Sequence, residues 1–219
     1  MKIISVTDLP LPGVKVIRFA RFLDQRGYFT EPFRRSDVDS HLELECLKGQ
    51  AFVQTNESHS RPNVVRGLHF QWEPFMGKLV RTLYGHMVDI VVDLRKGSPT
   101  LGKGIMHDMP SNVAADWSEW IWVPPGFAHG NFFPSESGIE YYCTAEYSQN
   151  GESAVSPLSP DIDWSLCDPA HKGRFDALIA AGAVMSDKDC QANLLQTWLA
   201  DPRSNRCRYS ARPGLTSRG

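Results

Sequence analysis

The hydrophobic pattern changes character along the chain. Up to residue 147 it consists of short apolar runs and two-residue alternation, interrupted at close intervals by Gly or Pro. Ile3-Ile4-Ser5-Val6 and the run 14–19 predict two opening strands, set off by Pro10, Pro12 and Gly13. Asp24-Gln25-Arg26-Gly27 predicts a turn between strands. Residues 51–56 alternate, which places Phe52, Gln54 and Asn56 on one face. Residues 78–84 predict a strand ended by Gly85, and 87–94 the next, with Asp89, Val91 and Asp93 sharing a face. Gly97-Ser98-Pro99-Thr100 is a turn. Residues 120–123 form a short buried strand stopped by Pro124-Pro125-Gly126. Strands over 127–133 and 139–147 follow, the second with Tyr141, Cys143, Ala145 and Tyr147 on one side. This pattern predicts a mainly β fold, a sandwich or jelly-roll barrel.

Helical signals are few and mostly C-terminal. Residues 36–47 are a first candidate, capped by Ser36 or Asp37. After Ser153 the pattern loosens. Pro157, Pro160 and Pro169 predict a loop-rich wrap, and 176–182 a short helix. Ser186 as cap with Asp189 three positions on predicts another, running to about Leu199. Residues 1–200 are expected to form one domain and 201–219 a frayed tail.

Composition narrows the classes. The chain has 219 residues, 23 basic against 25 acidic side chains and net charge −2, which argues against a nucleic-acid surface. Its cysteines are odd in number, five, and widely spaced, so no disulfide framework is signalled. With no secretory h-region and no apolar run near the ~20 residues of a membrane span, a cytoplasmic protein is expected.

Against that balanced background one stretch stands out. Arg66, His69, Lys78 and Arg81 fall within 16 residues of strand-forming sequence. Turned inward, they need an anionic or strongly polarised ligand to offset their burial. Asp89 and Asp93 are candidate partners for Arg66, Lys78 or Arg81 if their face turns inward. His69 and His129 lack the His-x-His spacing and third ligand of a metal cupin, so no metal is expected. A His among cations in a barrel is suited instead to proton transfer, with Lys78 stabilising an oxyanion and Tyr141 or Tyr147 returning a proton.

Four motifs carry a resemblance. Arg66-Gly67-Leu68-His69-Phe70-Gln71, Gly77-Lys78-Leu79-Val80-Arg81, the segment 89–102 and Pro125-Gly126-Phe127-Ala128-His129-Gly130 are similar to the dTDP-4-dehydrorhamnose 3,5-epimerase family. The similarity runs from about residue 3 to 200. It implies a metal-free, cofactor-free cupin jelly roll, usually a homodimer that exchanges N-terminal strands. The implied substrate is a nucleotide-linked 4-keto-6-deoxy sugar, inverted at C3, C5 or both. By the same resemblance, His69 is the base, Asp189 its carboxylate partner, Lys78 the enolate-stabilising cation and Tyr141 the acid. Arg66, His129 and Tyr147 match pocket positions. Arg26, Glu31, Gln54 and Asn56 match nucleotide- and sugar-contacting ones. The chain departs from the family pattern at Asn131, where Phe is common, and at Ser156-Pro157-Leu158-Ser159-Pro160. These departures leave open which carbons are inverted. They also leave open a C3-only or C5-only action on a GDP-4-keto heptose, a 3,4-ketoisomerase, and a non-catalytic sugar-nucleotide-binding cupin.

Overall fold

The computed structural model describes residues 1–210. In chain order its elements are β1 (Ile3–Asp8), β2 (Lys15–Asp24), β3 (Gly27–Thr30), α1 (Arg35–Ser40), a 3₁₀ helix (Leu42–Leu47), β4 (Gln54–Ser60), β5 (Val65–Gln71), β6 (Lys78–Tyr84), β7 (His86–Asp93), β8 (Gly104–Pro110), β9 (Trp117–Val123), β10 (Phe127–Phe132), β11 (Ser137–Cys143) and β12 (Glu152–Ala154). Helices α2 (Pro169–Ala180), α3 (Asp187–Cys190) and α4 (Leu195–Ala200) and a last 3₁₀ turn (Pro202–Arg206) complete it.

The strands form two antiparallel sheets. One runs β1-β2-β9-β6-β11-β4, with β3 paired to β2, and the other runs β12-β5-β10-β7-β8. The alternation of the sequence explains the layering. Met87, Val91, Ile105 and Phe127 of the smaller sheet meet Val80, Ile121, Val123 and Ile139 of the larger in an interior core. Val88, Ile90 and Val92 face outward from the smaller sheet and are covered by Phe175, Leu195 and Trp198 of the C-terminal helices. On the larger sheet Ile17, Phe19, Leu79, Trp120 and Trp122 are covered by Val38, Leu44 and Leu47. Burial on both faces is why β7 reads as a nearly continuous apolar run. The fold is a cupin-type jelly roll with short, mostly C-terminal helices, as the sequence predicts.

Several boundaries differ from expectation. The first helix begins at Arg35 after an extended Arg34, without a side-chain cap, and breaks at His41. Helix α2 starts at Pro169, because Asp168 caps it by accepting from the Ala170 amide and Pro suits the first turn. Ser186 does cap α3 through the Asp189 amide, but α3 ends at Cys190 and α4 is separate. Strand β11 stops at Cys143, so Tyr147 is not on it. The expected tail is packed as far as Cys207, which is 2% exposed in the same core as Val92, while its carbonyl accepts from the Lys96 amide. The rest of that expectation, 211–219, lies outside the described residues. No helix of the described residues is long and apolar enough to cross a membrane.

Candidate active site

Residues of both sheets line a cavity of about 550 Å³, within the range of small-molecule sites. Strand β5 contributes Arg66 and His69, β10 contributes His129 and Asn131, β6 Lys78, and β11 Tyr141. Asp189 closes the wall from α3.

A β-bulge makes this set possible. Between β10 and β5, His129 pairs with His69 but Asn131 pairs with Arg66, so β5 holds one residue more than its partner. On a regular strand, residues three apart face opposite ways. The extra residue restores parity, and both Arg66 and His69 reach the cavity. Gly67 occupies the bulge at φ +98°, where a Cβ would stand 2.8 Å from the His129 carbonyl oxygen and 2.9 Å from the Gly130 Cα.

His69 Nε2 lies 2.7 Å from Asp189 Oδ1. A carboxylate only accepts, so Nε2 carries the hydrogen, and in the neutral ring the lone pair is on Nδ1. Burial pushes the Asp189 carboxyl upward. The His69 hydrogen bond and charge, together with bonds from Ser186 and the Gly67 backbone, outweigh it and leave the carboxyl below its ordinary value. His129 makes a second such pair, its Nε2 2.7 Å from Asp89 Oδ2, with both residues buried.

Lys78 and Tyr141 come from the opposite sheet. Burial draws the Lys78 ammonium below its usual value, opposed in part by the nearby titratable groups Cys143, Glu152 and Asp89. Burial, with Cys143 and Glu152 nearby, raises the Tyr141 phenol. Arg66 donates to Ser60 Oγ (2.9 Å) and the His59 carbonyl (2.9 Å), which hold its side chain at the rim.

Other expected residues go elsewhere. Arg81 alternates away from Lys78 and binds Glu140 at 2.7 Å on the outer face. Neither Asp89 nor Asp93 pairs with Arg66, Lys78 or Arg81. Asp89 takes His129 and Asn131, while Asp93 takes Arg95, Ser98 and Thr100. Arg26 sits at the β2–β3 turn, exposed and bonded to Asp24, and Glu31 pairs with the N-terminus and Arg34. Within one chain, neither reaches the cavity. Gln54 and Asn56 bond each other at 3.0 Å on the β4 face whose next inward residue, Ser58, lines the cavity. Tyr147 is exposed, and its hydroxyl donates to Glu152.

Glu152 was not legible in the sequence. It bonds Tyr147 and Lys188, and its Oε1 is 3.8 Å from His69 Nδ1. Only the pairing of β12 with β5 brings it there, and no local motif announces that. No group of three or more His, Cys, Asp or Glu side chains able to hold a metal occurs among the described residues.

The fold is a cupin-type jelly roll whose cavity presents a carboxylate-held imidazole on one sheet and a cation and phenol on the other, groups chemically able to exchange protons with a ligand. A sequence model of dTDP-4-dehydrorhamnose 3,5-epimerase matches residues 8–197, and the chain belongs to that family. It is 33% identical over 216 residues to the dTDP-4-dehydrorhamnose 3,5-epimerase of Neisseria gonorrhoeae, covering 94% of this chain and 63% of that protein. It is 36% identical over 169 residues to the enzyme of the same name from Shigella flexneri, covering 75% and 89%. Among solved structures, dTDP-6-deoxy-D-glucose-3,5-epimerase of Legionella pneumophila, in complex with dTDP-4-keto-L-rhamnose, superposes with TM-score 0.78 at 31% identity over 94% of this chain and 99% of that one.

Proposed function

We propose that this protein epimerises a nucleotide-linked 4-keto-6-deoxy sugar of the dTDP-4-keto-6-deoxyglucose type at C3, C5 or both. The observation that carries this reading is the division of the chemistry between the sheets. A hydrogen next to a ketone is weakly acidic, and its removal needs a base together with stabilisation of the enolate oxygen. His69 takes the proton on Nδ1, and Asp189 holds its tautomer and balances the imidazolium. Lys78 neutralises the developing oxyanion at O4. Tyr141, from the facing sheet, returns a proton to the opposite face, which inverts the carbon. Arg66 and His129 orient the sugar, while Gln54, Asn56 and Tyr147 flank the entrance.

The homodimer belongs to the same reading. The β2–β3 hairpin exposes Phe22, Leu23, Tyr28 and Phe29, the last 70% exposed. Phe22 pairs with Phe29 on one side of the hairpin and Leu23 with Tyr28 on the other, and exposed apolar side chains of this kind are suited to a partner. A second copy seated there carries Arg26 and Glu31 towards its partner's cavity. One domain over residues 1–210 and a cytoplasmic location, in keeping with five free cysteines, complete the proposal.

The test is proton exchange in D2O with dTDP-4-keto-6-deoxyglucose, followed by NMR. Deuterium at C3, C5 or both, lost in His69→Ala, is the expected result. Absence of exchange with this sugar and with a GDP-linked 4-keto sugar overturns the reading in favour of a binding protein.

A further inference from the structure

Asn131 is 4% exposed and lines the cavity two residues beyond His129 on β10. Its amide orientation is dictated from behind. Nδ2 donates to Asp89 Oδ2 at 3.2 Å and to Met87 Sδ at 3.3 Å. The carboxylate and the thioether are both acceptors, so the NH2 group turns to them. Asp89 is itself fixed, because the same Oδ2 accepts from His129 Nε2 at 2.7 Å. The Asn131 carbonyl oxygen is left without a protein donor among the described residues, on a side chain held rigidly in the cavity wall. An acceptor held this way in the cavity wall can take a donor from a ligand without any rearrangement of the side chain.

We infer that Asn131 is a specificity-determining residue whose Oδ1 accepts a hydrogen bond from a sugar hydroxyl on or next to a reacting carbon, at C3 or C2. This rests on the epimerase reading above. The Arg66 backbone pairs with Asn131 across the bulge, and Ile139 and Tyr141 line the same cavity from the facing sheet. The hydroxyl is therefore read in the same cavity that holds the proposed acid. An apolar side chain at 131 offers no acceptor there, so Asn131 selects sugars that keep this hydroxyl.

The experiment measures deuterium incorporation with dTDP-4-keto-6-deoxyglucose and its 2-deoxy and 3-deoxy forms, using wild type and Asn131→Leu. Wild type is expected to lose about 10-fold or more in kcat/KM on one of the two analogues, the size of a hydrogen bond left unmade. Asn131→Leu is expected to lose a similar factor on the parent sugar and no more on that analogue. If wild type handles both analogues as well as the parent, or if the losses in Asn131→Leu simply multiply, the inference is overturned. The wild-type arm does not depend on whether the variant folds. Failure of wild type to exchange the parent sugar counts against the epimerase reading instead.

Discussion

Arg66 and His69 stand three positions apart on one strand and yet face the same cavity, because β5 carries one residue more than β10 between them. The positive φ of Gly67 and the contact with the His129 carbonyl make this geometry sensitive to any side chain. Gly67→Val is expected to cost on the order of 2–4 kcal/mol through strain and overpacking. It should also depress kcat further than the loss of folded protein explains. Urea unfolding and active-site titration on the same preparation separate the two effects.

The His69–Asp189 pair should behave as a unit. His69→Ala and Asp189→Asn are each expected to lower solvent exchange by roughly 10²–10⁴, and the double variant by little more than the worse single one. Fully multiplicative losses would dissolve the pair. Asp189 also carries a stability signature. Its carboxyl is held low in the fold, so its contribution is present above the unfolded value near ~3.9 and is lost as pH falls through the folded value. Asp189→Asn should therefore flatten the acid side of a stability–pH curve.

Lys78 sets the alkaline limit of activity in this scheme. It must be protonated to meet an enolate, and burial holds it below its ordinary range, whereas Tyr141 is raised and stays protonated to higher pH. Activity should fall as pH rises through the lowered Lys78 value. The limb should keep its position in Tyr141→Phe and disappear in Lys78→Arg, since an arginine does not titrate there. Between the folded and unfolded Lys78 values the unfolded chain binds the extra proton, so stability rises with pH across that window. Lys78→Met should remove that rise, which a pH series of thermal melts reads directly.

Trp198 tests the C-terminal wrap. It is 1% exposed and its ring centroid lies 4.6 Å from Phe70 and 5.2 Å from Trp72. Trp198→Ala is expected to cost ~3–5 kcal/mol. Because Phe70 adjoins His69, the loss should extend to activity at temperatures where the protein remains folded. Denaturant midpoints and exchange rates measured at 15 °C would show the two moving independently if the wrap merely covers β5.

Much of the architecture was legible in local pattern. Alternation and Gly or Pro breaks mark most of the strands, though not β8 or β12, since a pleated chain half-buried on a core imposes a period of two. Ser186 and Asp189 announced the α3 cap because that motif is satisfied within four residues. The chemical types in the cavity, His69, Lys78, Tyr141 and Asp189, were also readable from motif and resemblance. Pairing decided the rest. Local sequence does not state that β5 bulges at Gly67, that β12 brings Glu152 to His69, or that Arg81 turns out to Glu140. Nor does it assign Asp89 to His129, 40 residues apart, and the pairing of Asp189 with His69, 120 residues apart, was readable only through the resemblance. Hydrogen-bond registers between distant strands set those contacts, and a shift of one residue in a register reverses every side chain beyond it.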